Sequence, residues 1–127
     1  MKENIESENS PIFSVLIVTR NEERYIGHLI EKLLEQDFPN DKYEIIVVDG
    51  MSTDKTSEIV QHYIEKTLDM IKLFVNKKKT LPPGWNIGIL ASKGDYVLRV
   101  DGHTEVPNDF LSNYWDIIKK KPEKLDV

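Results

Sequence analysis

Residues 11–50 read PIFSVLIVTRNEERYIGHLIEKLLEQDFPNDKYEIIVVDG, and the fold follows from this stretch. Phe13 to Thr19 is a nearly continuous apolar run, the pattern of a strand covered on both faces rather than of one with a wet side. Ile26, Leu29, Ile30, Leu33 and Leu34 then recur at i, i+3, i+4, i+7 and i+8, which gathers one apolar stripe on a helix. Phe38-Pro39-Asn40-Asp41 breaks that helix. Glu44 to Asp49 (EIIVVD) is a second buried strand. Two buried strands joined through a helix run parallel in one sheet, with a right-handed crossover.

The rhythm continues downstream. Asp54 stands where it can cap a helix whose inner face is Ile59, Val60, Tyr63 and Ile64. Met70 to Val75 reads as a third strand, Pro83 to Ser92 as a short helix and Tyr96 to Val100 as a fourth strand. Phe110, Leu111, Tyr114, Trp115 and Ile118 mark a closing amphipathic helix, with Tyr114 and Trp115 expected in the core. This alternation predicts a three-layer, Rossmann-like α/β fold on a mostly parallel sheet. The pattern by itself leaves strand order open. One domain is expected over residues 12–120, with a flexible leader at 1–11 and a polar tail at 121–127.

Composition narrows the function classes. At 127 residues the chain is one domain with room for a real core. With 39% hydrophobic and 31% charged residues it does not read as a disordered chain. A net charge of -5 argues against nucleic acid as a partner, since phosphate-backbone binding wants a basic face. There is no Cys, so neither a disulfide framework nor a thiolate metal site can form. No signal peptide and no apolar run of the ~20 residues that span a bilayer is found. A cytoplasmic location is the expectation, at the inner face of the membrane for a full-length protein.

In sheets of this kind ligands sit beyond the carboxyl ends of the strands. Those ends carry Thr19-Arg20-Asn21-Glu22, Asp49-Gly50-Met51-Ser52-Thr53-Asp54, Asn76 with three lysines, and Asp101-Gly102-His103. Carboxylates gathered at one edge beside a His invite a divalent cation to offset their repulsion. No G-x-G-x-x-G follows the first strand, which counts against a dinucleotide dehydrogenase. The acid and lysine pattern of a phospho-receiver is not clean either.

The segments SVLIVTRNEE, IIVVDGMSTDKT and GWNIGILASKGDYVLRVDGH resemble, in order and spacing, the successive motifs of family 2 glycosyltransferases of the GT-A fold. The match runs from about Phe13 to Phe110, and the Asp-Gly-His variant is similar to transferases of succinoglycan-type exopolysaccharide synthesis. The resemblance implies strand order 3-2-1-4 and transfer of a sugar, with inversion, from a nucleoside diphosphate sugar, a UDP-sugar being expected. The acceptor implied is a saccharide or a lipid-linked saccharide.

Residue roles come with the resemblance. Thr19 and Glu22 would line the nucleoside pocket, and Asp49 would accept a hydrogen bond from the base. Ser52 would shape the following turn, Asn86 matches the Asn of an R-N-x-G segment, and Asp101 would serve both nucleotide and cation. Trp85 stands where that segment commonly has Arg. Asp101 and His103 occupy the two ends of a D-x-D metal motif and would hold Mn2+ or Mg2+, His103 departing from the usual Asp. Plainer roles stand beside these: turn caps for Asp49, Thr19 and Ser52, a helix-dipole partner for Glu22, a helix cap for Asp54. Lys77 to Lys79 read as a solvated loop, Arg99 as a snorkelling side chain, and His28 and His62 as surface residues. The resemblance puts the catalytic base beyond this segment, so the chain is expected to be part of a longer enzyme and unable to transfer sugar alone. A non-catalytic nucleotide-binding or interaction module is the alternative. Self-association is expected from apolar surface left uncovered.

Overall fold

A computed structural model describes residues 10–120. The elements are β1 (Phe13–Thr19), α1 (Ile26–Leu34), a 3-10 turn (Asn40–Lys42), β2 (Tyr43–Asp49), α2 (Thr56–Lys66), β3 (Ile71–Val75), α3 (Leu81–Ala91), β4 (Tyr96–Asp101) and α4 (Phe110–Lys120). All strand pairings are parallel and the order is β3-β2-β1-β4, as the resemblance implied. The central pair β1 and β2 is buried at every position, which is why both read as nearly continuous apolar runs. The leader at 1–11 and the tail at 121–127 fall almost wholly outside the described residues.

Each face of the sheet has its own core. One packs Phe13, Val15, Ile17, Ile45 and Val47 against α1, α2 and α4. The other is smaller, with Leu16, Val18, Ile46 and Val48 under α3. Two glycines let α3 lie directly on β1. A Cβ at Gly88 would come within 2.1 Å of Leu16 Cδ1, and one at Gly84 within 2.7 Å of Val18 Cγ1. The sheet supplies bulk and the helix supplies the gap, so full burial of Leu16 is retained, worth roughly 1.5–3 kcal/mol.

Some boundaries and one core assignment differ from the sequence reading. Helix α3 starts at Leu81, because prolines fit the first turn, where their missing N–H would have no partner. Strand β2 begins at Tyr43, whose hydroxyl donates to the Leu33 carbonyl at 2.6 Å and ties the sheet to α1. Trp115 packs edge-on against Phe13 and Phe38, but Tyr114 is exposed, its ring edge-on to Phe110. Tyr114 shares the helical spacing of the core residues yet falls at the rim of the stripe. Val106, in the loop before α4, is a core residue that no periodicity announces.

Candidate functional site

The four strands end on one edge, and two loops there are knitted together. Asn21, in left-handed backbone (φ 55), accepts through Oδ1 from the Thr53 N–H at 2.8 Å. The N–H of Asn21 donates to Ser52 Oγ at 2.8 Å, that of Glu22 to Thr56 Oγ1 at 2.8 Å, and that of Glu23 to Asp54 Oδ2 at 3.2 Å. In return the Lys55 N–H donates to Glu23 Oε1 at 2.9 Å. Asp54 Oδ1 accepts from the Thr56 N–H at 2.9 Å, so Asp54 organises the start of α2 as expected and also clasps the first loop. Desolvation pushes the Asp54 carboxyl up, but its bonds to the Thr56 side chain and to the backbone of Thr56 and Glu23 hold it below the usual range.

Asp49 is buried beneath this platform, register partner of Thr19. Its Oδ2 accepts from the Ser52 N–H at 3.0 Å and its Oδ1 from Ser52 Oγ at 2.5 Å. Asp49 and Ser52 therefore form one clasped unit, and each Asp49 oxygen keeps acceptor capacity beyond the Ser52 bonds.

Beside the platform opens a cavity of about 290 Å3, lined by Thr19, Glu22, Asp101 and His103 together with Val18, Arg20, Gly50, Lys79, Leu81 and Gly102. The sheet thus brings four of the sequence-predicted residues to one space. Asp49 and Ser52 are adjacent but do not line it, and Asn86 is exposed on α3 away from the lining. Thr19 is 4% exposed, and among the described residues its hydroxyl is the buried side-chain polar atom without a hydrogen-bond partner. Such an atom is costly unless something supplies a partner. Gly102 closes over it, since a Cβ there would lie 2.6 Å from Thr19 Oγ1.

His103 Nδ1 stands 3.3 Å from Glu22 Oε1, and the ring meets Tyr25 edge-on at 6.3 Å between centroids. Among the described residues no three of His, Cys, Asp and Glu are grouped to hold a metal. The donor set is one carboxylate and one imidazole on either side of Gly102. It fits a cation whose remaining ligands are water and phosphate, and not a closed structural site.

Lys79, Arg20 and Gly50 are members of the lining that the sequence reading passed over. Lys77 to Lys79 read as a solvated loop, yet the fold brings Lys79 to the cavity while Lys77 and Lys78 stay outside its lining. No sequence signal set Lys79 apart from its neighbours; what places it is Asn76, buried at the end of β3, whose side chain closes the lysine turn. Arg99 stacks over Trp85 at 5.0 Å rather than reaching the cavity.

The glycosyl transferase family 2 model matches residues 14–126. The chain is 36% identical over 116 residues to the dolichyl N-acetyl-alpha-D-glucosaminyl phosphate 3-beta-D-2,3-diacetamido-2,3-dideoxy-beta-D-glucuronosyltransferase of Methanococcus voltae, covering 88% of this chain and 36% of that protein. Among solved structures it resembles S. aureus TarS 1–349 in complex with UDP-GlcNAc, at 32% identity and a TM-score of 0.76 over 85% of this chain and 31% of that one. It also resembles the mannosyltransferase PcManGT of Pyrobaculum calidifontis in complex with GDP-Man and Mn2+, at 28% identity and a TM-score of 0.80 over 89% of this chain and 33% of that one. The chain thus spans about a third of the length of these relatives. With the motifs in order, the predicted sheet observed and the family model matched over nearly the whole chain, the chain belongs to glycosyl transferase family 2.

Proposed function

We propose that the cavity binds the nucleotide of a nucleoside diphosphate sugar, with a divalent cation, as the donor half of an inverting glycosyltransferase of polysaccharide synthesis. The observation that carries this reading is the convergence of Thr19, Glu22, Asp101 and His103 on one space, with a buried hydroxyl awaiting a partner. The cavity is at the small end of the ~300–1,000 Å3 typical of ligand sites, so it suits a nucleotide and leaves the sugar outside. The complexes of TarS with UDP-GlcNAc and of PcManGT with GDP-Man and Mn2+ support a nucleotide sugar and a cation. A UDP-sugar is favoured because TarS, 32% identical to this chain, is seen in complex with UDP-GlcNAc.

Asp101 and His103 would hold the cation, which when bound offsets the charge of the leaving diphosphate. Glu22 gains a second role. If the Nδ1–H of His103 donates to Glu22, the other ring nitrogen is left bare as a ligand, the arrangement that orients metal-binding histidines. No residue of this chain is assigned as the base. The acceptor, a saccharide or lipid-linked saccharide, and a cytoplasmic site of action belong to the same proposal. Self-association is supported by exposed Ile89, Leu90 and Val97.

Calorimetric titration with UDP, in chelator, Mg2+ and Mn2+, tests the reading. UDP is expected to bind with Mn2+ and to lose affinity in chelator, Asp101→Asn to abolish that metal effect, and Glu22→Gln to weaken it about 10-fold or more. Metal-independent UDP binding unaffected by Asp101→Asn would refute the cation site.

A further inference from the structure

The sheet is open at β4. Strands β1 and β2 are buried throughout, whereas Tyr96, Val97, Arg99 and Asp101 of β4 are exposed. Val97, Arg99 and Asp101 alternate onto one face, in register with Ser14, Leu16 and Val18 of β1. Helix α3 runs down that same face, with Gly84 on Val18 and Gly88 on Leu16. A helix advances about 6 Å every four residues and a strand about 7 Å every two, so the two elements keep step in tiers. Leu81 and Asp101 line the cavity, and Trp85 and Arg99 meet one tier further down. The same spacing puts Ile89 and Val97 on the tier after that.

Arg99 is placed by a ring and not by a carboxylate. Its guanidinium lies over the Trp85 ring at 5.0 Å, and the indole is packed against the small core of Leu16, Val18, Ile46 and Val48. Stacking holds a guanidinium by its face and leaves its in-plane N–H donors free. Among the described residues no carboxylate pairs with Arg99, and no hydrogen bond engages its side chain. The next tier is hydrocarbon: Val97 is 36% exposed and Ile89 42%. From the cavity downward this face therefore presents a carboxylate, a cation and then bare apolar surface.

From this order we propose that the face between β4 and α3 binds the phosphate of a lipid-linked acceptor, with Arg99 on the phosphate and Val97 and Ile89 on the first carbons of its hydrocarbon chain. The inference rests on the reading of the cavity as the donor site and names the group that anchors the acceptor beside it. Free in-plane donors of a fixed guanidinium match a pair of phosphate oxygens. A phosphate on Arg99 lies one strand step, about 7 Å, from Asp101, which leaves room for a sugar ring between the phosphate and the cation site. An uncharged glycan would leave the guanidinium without a partner, and a glycan phosphate would leave Val97 and Ile89 bare.

The test is an NMR titration of the isotope-labelled, metal-free chain, read at the indole N–H signals of Trp85 and Trp115. Trp115 packs against the core on the other face of the sheet and is the internal control. The probes are octyl phosphate, glycerol phosphate and octyl glucoside, all below micelle formation. Octyl phosphate is expected to shift Trp85 saturably and to bind at least about tenfold tighter than glycerol phosphate, as burial of two methylene groups implies. Octyl glucoside is expected to give no saturable shift. Arg99→Met should weaken octyl phosphate about fivefold or more, as loss of bonds to a charged donor implies. Calorimetry in Mn2+ should find UDP affinity of that variant within about twofold of the parent, since Arg99 lies outside the cavity lining. Val97→Ser should bring octyl phosphate towards glycerol phosphate and leave the latter unchanged.

If Arg99→Met weakens UDP as much as octyl phosphate, the guanidinium serves the donor diphosphate and the inference fails. It fails too if neither phosphate moves Trp85, if octyl glucoside binds as tightly as octyl phosphate, or if glycerol phosphate does. A dimer broken by Val97→Ser with octyl phosphate binding intact would give the apolar tier to self-association and refute the hydrocarbon contact. A parent that binds no UDP sinks the reading of the cavity, and the phosphate titration, run without nucleotide or metal, is decided separately from it.

Discussion

Replacing Asn21 with alanine should loosen the two-loop platform that frames the cavity, and the size of the effect can be worked from its contacts. Asn21 Oδ1 accepts the Thr53 N–H at 2.8 Å and lies 3.4 Å from Thr53 Oγ1 and from the Asp54 N. Only the first is a strong bond, and water can reach the released N–H, so its loss costs about 0.5–1 kcal/mol. Asn21 also sits at φ 55, where Ala, lacking a side chain that can bond locally, costs a further ~1 kcal/mol. The sum is about 2 kcal/mol, or roughly 8 °C at ~4 °C per kcal/mol for a domain of this size. Asn21→Asp keeps both the acceptor and the tolerance of this backbone, and should stay near the parent. Asn21→Gly relieves the backbone but not the lost bond, and should fall between them. Thermal melts of the three variants give the ranking. UDP titration well below the melting temperature gives the functional consequence, a several-fold loss for Ala that Asp restores, because the Asn21 side chain pins the Thr53 N–H and with it the turn in which Ser52 holds Asp49. Parent-like stability of Asn21→Ala, or an Asp variant as weak as Ala, would refute the clasp.

Gly88→Ala should destabilise the chain by about 1–3 kcal/mol despite the better helix propensity of Ala, because its Cβ would overlap the buried Leu16 side chain. Denaturant unfolding measures this, and pairing it with Leu16→Val should recover part of the loss. Tyr43 gives a pH signature: burial pushes its phenol up to about 12, above an unfolded value near 10. The stability it contributes is complete below pH 10 and is lost as pH rises through 12, by roughly 2–3 kcal/mol. Unfolding midpoints between pH 9 and 12 should therefore fall less steeply for Tyr43→Phe than for the parent. His103→Ala should weaken UDP binding in Mn2+ several-fold and leave binding in chelator unchanged, read by the same calorimetric titration.

The sheet was legible because burial leaves a local mark. A strand covered on both faces is apolar along most of its length, and FSVLIVT and EIIVVD each are, apart from Ser14 and Glu44, which bond each other at 2.5 Å, and the terminal Thr19 and Asp49, which face the site. Helix α1 declared itself by the spacing from Ile26 to Leu34, and the acids at strand ends by their place after those runs. Other features depended on residues far apart in the chain. Tyr114 has the spacing of a core residue, but whether a stripe's margin is covered depends on what packs beside it, and nothing in α4 encodes that. Asp49 is an acid at a strand end in either reading, and only the folded turn engages both its oxygens with Ser52. Lys79 belongs to a run of three identical residues; what sets it apart is the buried Asn76 and the close approach to Gly50, twenty-nine positions earlier. Periodicity reports which face of an element is buried, because burial acts on each residue separately. The composition of a site is decided by which strand ends lie side by side, and that is a property of the sheet as a whole.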